Sequence, residues 1–260
     1  MVKELQKSKF SLVLSGGGAL GIAHLGVIED LQKNSLTPSE IVGTSMGGII
    51  GACVAISLSV EQILNILDEF SNVTKWIKFS FSGNSIVDSS KIEKIFIEIF
   101  GNKSFEDVGI PLKIITTNIA NGQKRVFSKD DNILIKDALL ATMAIPGIFS
   151  EKEIDGIVYA DGFLCENLGL NEASFSTILA VDVLGFNSFE KELPDNFFKT
   201  SNILEMFEKS MRLLIYNQTN LIKKSIDKKL FLLDIDTKDY KTYHFHKVKE
   251  IKELGVNLII

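Results

Sequence analysis

Glu40-Ile41-Val42-Gly43-Thr44-Ser45-Met46-Gly47-Gly48-Ile49-Ile50 is the stretch on which the fold turns. Glu40 to Gly43 reads as a short strand, and Met46 to Leu58 as a mostly apolar helix. Between them lies Gly43-Thr44-Ser45-Met46-Gly47, a G-x-S-x-G. In a strand-turn-helix context that pattern marks a nucleophile elbow. The reason is steric. A serine in so tight a turn has a strained backbone, and glycines two before and two after it keep side chains from colliding. Its hydroxyl then projects at the positive end of the following helix. A plain turn lined with small residues fits the same letters.

Upstream, Phe10 to Leu14 is a β-type run ending in Gly16-Gly17-Gly18-Ala19-Leu20-Gly21. Ala19 to Lys33 then carries Ile22, Leu25, Ile28 and Leu31 at helical spacing. A glycine loop opening a helix bares backbone N–H groups in a positive field, which suits a phosphate or an oxyanion. The letters also spell G-x-G-x-x-G, so a dinucleotide site competes. That site needs an acid at the far end of the second strand, and Glu40 lies at the near end. A Walker A loop is excluded, because no Gly-Lys-Ser/Thr follows.

Downstream, helices are expected over Val60–Phe70, Ser90–Phe100, Asn132–Thr142 and Asn202–Ile226. Strands are expected over Leu112–Thr117, Lys124–Phe127, Ile157–Tyr159, Thr177–Leu184 and Leu230–Ile235. Asn121-Gly122 and Asp155-Gly156 read as hairpin turns. Strands alternating with helices predict an α/β domain with a mainly parallel sheet and some antiparallel additions. No repeat or linker divides the 260 residues, so a single domain is expected over 1–260.

Composition narrows the chemistry. The net charge is −5, from 28 basic and 33 acidic side chains, which argues against a nucleic-acid partner. Residues 201–260 reverse the sign, with 11 basic against 8 acidic side chains. Two cysteines, Cys53 and Cys165, cannot build a disulfide framework, and with three histidines they suggest no metal site. No cofactor is suggested. The N-terminus has no secretory apolar run, and no stretch reads as a bilayer span, so a cytoplasmic location is expected.

Tyr159-Ala160-Asp161-Gly162 puts a carboxylate at a strand end, with Gly162 letting the backbone turn beside it. Such a carboxylate can orient or deprotonate a serine. An Asp-Gly turn is the plainer reading. Nucleophile, cradle and base together are the parts of acyl transfer. A Ser-Asp-His order is also available, from Ser45 through Asp161 or Asp182 to His244 or His246. That is the order of an α/β-hydrolase esterase, but only one strand-helix unit precedes Ser45, whereas the α/β-hydrolase fold places several first. His24 reads as a packing or capping residue.

An early G-G-G-x-x-G, a G-x-S-x-G and a distant Asp-Gly resemble the patatin-like phospholipases. Residues 18–28, 116–122 and 141–149 resemble that family's first helix, central hairpin and the segment before its aspartate. The likeness runs over about residues 8–185, and residues 186–260 match no specific motif. The resemblance implies a three-layer α/β/α sandwich, patatin-like, and a Ser-Asp dyad without a catalytic histidine. Carried over by position, Ser45 is the nucleophile and Asp161 the base. Gly16, Gly17 and Gly18 form the oxyanion hole, and Gly21, Gly43, Gly47 and Gly162 support the motifs. The implied activity is hydrolysis of a lipid or other ester through an acyl-enzyme. Three departures stand out. Leu20 replaces a basic residue, Phe163 replaces a small one, and Asn167-Leu168-Gly169 lacks the family's proline. A catalytically weak lipid- or protein-binding module is therefore a further reading.

Two aromatic clusters read as core, or as an acyl pocket or interfacial lid. They are Phe70, Trp76, Ile77, Phe79 and Phe81, and Phe186, Phe189, Phe197 and Phe198. Lys75, Lys78 and Lys199 lie among them, and Lys223, Lys224, Lys228 and Lys229 follow the long helix. Transient contact with an anionic membrane surface is one expectation from them.

Overall fold

Alternation along the central strands decides the layers. In a computed structural model, Leu12, Leu14, Ile41, Ile114, Leu179 and Val181 face one apolar core. Val13, Val42, Ile115, Ile178 and Ala180 face another. The strands are buried on both sides, as parallel strands covered by helices must be. The structure describes residues 1–70, 89–189 and 203–260.

The strands are β1 (Phe10–Leu14), β2 (Glu40–Thr44), β3 (Leu112–Asn118), β4 (Lys124–Phe127), β5 (Lys152–Ile154), β6 (Ile157–Asp161), β7 (Thr177–Asp182) and β8 (Lys229–Asp234). The helices are α1 (Val2–Leu5), α2 (His24–Lys33), α3 (Met46–Ala55), α4 (Val60–Phe70), α5 (Ser89–Phe100), α6 (Ile135–Thr142), α7 (Ile203–Ser225) and α8 (Val248–Glu253). Among the described residues, eight strands share one sheet, with β3-β2-β1-β7-β8 parallel throughout. The larger core is built from α2 to α6 and α8. The smaller gathers Leu168, Leu170 and Ala173 with Ile222 of α7. The result is the α/β/α sandwich the sequence predicts.

The hairpin strands β4, β5 and β6 are the antiparallel additions. Their placement matters for the site. Ile115 pairs with Thr44 of β2 on one side and Val126 of β4 on the other. Thr116, the next residue, pairs with Asp161 of β6 and Arg125 of β4. So β4 takes one edge of β3, while β2 and β6 share the other. Since β2 runs parallel to β3 and β6 antiparallel, their C-terminal ends meet head to head.

Some boundaries differ from expectation. The first helix begins as a 3₁₀ turn over Gly18–Ala23, and only His24–Lys33 is α-helical. α3 stops at Ala55, followed by Ser57 at φ 67°. α6 starts at Ile135 rather than Asn132, because Leu134 bridges to Ser104 in extended form. The short α1 and α8 have too few residues to stand out from periodicity.

Candidate active site

Ser45 lies between the end of β2 and the first turn of α3, at φ 52° and ψ −125°. A non-glycine residue with that backbone is strained, which is expected where the surroundings over-determine it. The flanking glycines show how tight the turn is. A Cβ on Gly43 would sit 2.5 Å from Gly48 Cα, and one on Gly47 2.4 Å from the Leu14 carbonyl oxygen. Thr142, at the end of α6, pins the strained peptide. Its hydroxyl accepts the Ser45 N–H at 2.9 Å and donates to the Ile115 carbonyl at 2.5 Å.

Asp161 arrives from the opposite direction, at the end of β6. It is fully buried, and its N–H donates to the Ala144 carbonyl. Its Oδ1 accepts the Phe163 N–H at 3.0 Å, while Oδ2 has no hydrogen-bond partner. Burial raises the carboxyl to about 7, against the opposing pull of the Ser45 hydroxyl and the Phe163 N–H. The hydroxyl is thus near enough to favour the carboxylate without closing a hydrogen bond of normal geometry. Catalytic hydrogen bonds commonly tighten only with substrate. Gly162 fits because a Cβ there would lie 2.3 Å from the Ile115 carbonyl oxygen.

The glycine loop closes the third side. A Cβ on Gly16 would lie 3.1 Å from Ser45 Cβ and 2.6 Å from Asn167 Oδ1. Asn167 clamps Gly16 twice. Its carbonyl accepts the Gly16 N–H at 3.3 Å, and its Nδ2 donates to the Gly16 carbonyl at 3.3 Å. Among the described residues, the Gly17 and Gly18 N–H groups have no acceptor. A Cβ on Gly21 would strike Met46, so this glycine admits the elbow helix. The loop is anchored from behind by His24, whose Nε2–H donates to the Ser15 carbonyl at 2.8 Å. Burial lowers the His24 pKa to about 4, so the ring is neutral.

Glu40 sits at the far end of the sheet from Ser45. It accepts from the Ser11 hydroxyl and the Ser174 N–H and pairs with Lys113. Nothing there offers a ribose contact beside the glycine loop. Asp182 ends β7 opposite Asp234 of β8 and accepts the Leu184 N–H. His244 Nδ1 accepts the Lys241 N–H, and its ring packs edge-on to that of His246. No described hydrogen bond joins either histidine to Ser45, Asp161 or Asp182. Cys53 is buried, with its thiol pushed up to about 12. No three metal-ligating side chains gather among the described residues.

The three departures find different places. Leu20 is fully buried in the core. Phe163 packs against that core while its N–H holds Asp161. Gly169 lies against Ile115, where a Cβ would come within 2.3 Å of Cδ1. Sequence reasoning did not assign roles to Thr142, Asn167 or Gln218. Gln218 of α7 accepts the Asn167 N–H at 3.3 Å. Thr142 stands in a segment that matches a family pattern and Asn167 opens the stretch that lacks the family's proline, whereas Gln218 carries no signal.

Of the aromatic residues, Phe186 is exposed, and it and Phe189 contact Tyr216 of α7. Trp76, Ile77, Phe79, Phe81, Phe197 and Phe198, with Lys75, Lys78 and Lys199, lie outside the described residues. α7 turns Phe207, Leu214 and Leu221, spaced by seven, to solvent. Among the described residues no helix is long and apolar enough to cross a membrane.

A strained serine, a buried aspartate and a glycine loop thus stand at one sheet edge. The family model for patatin-like phospholipase matches residues 12–174, and the chain belongs to that family. An uncharacterized NTE family protein of Mycobacterium bovis is 29% identical over an alignment of 178 positions that covers 64% of this chain and 46% of that protein. Lysophospholipase NTE1 of Scheffersomyces stipitis is 25% identical over 285 residues, covering 99% of this chain and 18% of that protein. The chain thus spans less than half the length of these relatives. Among solved structures, VipD from Legionella pneumophila aligns with a TM-score of 0.51 at 12% identity, over 94% of this chain and 66% of that one. That likeness bears on the fold alone.

Proposed function

We propose that the chain is a serine lipid acyl hydrolase working through a Ser45–Asp161 dyad. The observation that carries this is the head-to-head meeting of β2 and β6 on adjacent residues of β3, which sets Ser45 beside a buried carboxylate. Asp161 takes the Ser45 proton as Oγ attacks the ester carbonyl carbon. Gly17 and Gly18 N–H groups receive the oxyanion, with Gly16 held in place by Asn167. The intermediate collapses, the alcohol leaves with the proton from Asp161, and an acyl-Ser45 remains. Water, deprotonated by Asp161, then releases the fatty acid. A carboxyl near 7 is a far better proton acceptor for a serine than one near 4. The N-terminus of α3 adds a favourable field for the developing alkoxide. We read the chain as one domain, since its strands from Phe10 to Asp234 belong to one sheet.

The Ser-Asp-His alternative is weighed by one variant. His244→Ala/His246→Ala is expected to keep ester hydrolysis within about threefold of the parent, because among the described residues His244 is engaged by the Lys241 N–H and by the His246 ring rather than by the dyad. Loss of activity in a folded double variant would sink the dyad reading in favour of a triad. An absence of both hydrolysis and fluorophosphonate labelling in the parent protein would favour the binding module.

Surface contact with lipid belongs to the same proposal. The outer face of α7 exposes Phe207, Leu214 and Leu221, with Lys224 exposed on the same helix. Exposed apolar residues beside cations favour an anionic interface. Replacing the three apolar residues by serine is expected to cut flotation with anionic phosphatidylglycerol vesicles several-fold. Unchanged flotation would remove the surface contact.

A further inference from the structure

A buried cation stands in the part of the chain that carries no motif. Arg212 of α7 is 6% exposed. Its guanidinium donates to Glu208 Oε1 at 2.9 Å, to the Tyr240 carbonyl at 2.9 Å and to the Ser188 carbonyl at 3.0 Å. The same Glu208 oxygen accepts the Thr242 N–H at 2.8 Å and the Thr242 hydroxyl at 3.0 Å. The Thr242 carbonyl in turn accepts the Ala19 N–H at 2.8 Å. A Cβ on Gly18 would lie 2.4 Å from that carbonyl oxygen. An unbroken chain of contacts therefore runs from α7 to the glycine loop.

Energetics point to position rather than stability as its purpose. A buried ion pair gains little over an apolar pair of similar volume, because desolvation offsets the attraction. What it does provide is a fixed direction. Glu208 cannot leave Thr242 without leaving Arg212 uncompensated. Thr242 in turn holds Ala19 and closes down on Gly18, which has a left-handed φ of 55°. Among the described residues, Gly17 and Gly18 are the loop residues whose N–H groups have no acceptor. Oxyanion donors act only when held at the position the charge will occupy.

We infer that Glu208, locked by Arg212, is a positioning residue for the oxyanion donors of the glycine loop, acting through Thr242. The inference rests on the acyl-hydrolase reading. It assigns a role in turnover to a segment outside the family match, which ends at residue 174.

Glu208→Ala, Glu208→Gln and Thr242→Val test it, with p-nitrophenyl butyrate hydrolysis, fluorophosphonate labelling rate and melting temperature measured for each. Misplacing a donor costs less than deleting one, so Glu208→Ala should lower kcat about tenfold or more, with KM within about twofold. Labelling should slow in parallel. Glu208→Gln keeps an oxygen acceptor for Thr242 and should recover most of the rate. A lower melting temperature with unchanged kcat in the folded protein would make the network merely structural and overturn the inference. If Glu208→Ala does not fold, Thr242→Val decides, since it removes one hydroxyl contact and leaves the ion pair. A kcat about threefold lower supports the inference, and an unchanged kcat overturns it. A parent protein that neither hydrolyses nor labels would fail the acyl-hydrolase reading itself. An active parent matched by its variants would fail this inference alone.

Discussion

Asp161→Asn is expected to lower ester hydrolysis by about 10²–10⁴-fold and, at pH 8, to raise the melting temperature. The two effects have one origin. Asp161 is fully buried, and its Oδ2 has no hydrogen-bond partner. Burial lifts the carboxyl to about 7, against about 3.9 in an unfolded chain. Between those values the folded state binds a proton that the unfolded state does not. The contribution of Asp161 to stability is therefore fullest below about pH 4, falls as pH rises, and is lowest above about pH 7. Asparagine has no charge to bury, its oxygen can accept the Phe163 N–H, and its amide can face Ser45. The gain at pH 8 is on the order of 2–4 kcal/mol, or roughly 5–10 °C, and it should shrink toward zero below pH 4. Catalysis runs the other way. The base works only when ionised, so kcat/KM of the parent should rise through about pH 7 and then level off. Calorimetry across pH, with initial rates on a neutral ester, checks both halves. An asparagine variant that keeps a tenth of the activity, or a parent most active at pH 5, would remove Asp161 as the base.

The two proposed catalytic positions were legible in the sequence because each stands inside a local pattern. Gly43 and Gly47 flag Ser45, since the clashes they avoid come mainly from their own turn and from β1 close by. Gly162 flags Asp161 similarly, although the obstacle it avoids is the Ile115 carbonyl on another strand. What brings the two together was not legible. It depends on β6 taking the edge of β3 that β2 vacates after Ile115, a register between segments far apart in the chain. Thr142, which ties Ser45 to that register, is one polar residue among apolar ones, with no spacing to announce it. Asn167 was noticed only for the proline missing nearby, yet it engages Gly16 at both ends. The most distant support, from Glu208 and Arg212, follows none of the family's patterns. It forms because the segment around Thr242 lies between α7 and the glycine loop. Charge counting pointed only to a basic C-terminal surplus, whereas the cation that matters there is buried and paired.

Ser45→Ala and Ser45→Gly should both abolish turnover, by about 10⁴-fold or more, and yet differ in stability. Either substitution removes the nucleophilic oxygen, leaving only the cradle and binding to act on the ester. Fluorophosphonate labelling should vanish in both. The backbone separates them. At φ 52° and ψ −125°, any residue with a Cβ is strained, and that strain is of order 1–3 kcal/mol. Alanine keeps the Cβ and the strain. Glycine releases it, but returns about 0.5–1 kcal/mol through the greater freedom of the unfolded chain. The glycine variant should therefore be the more stable of the pair by about 1 kcal/mol, read as a higher denaturation midpoint. The Ser45 N–H stays bonded to Thr142 in both variants. Equal midpoints would mean that the elbow relaxes once the hydroxyl is gone, so that its strain belongs to the serine rather than to the turn. Labelling that survives in either variant would place the nucleophile elsewhere.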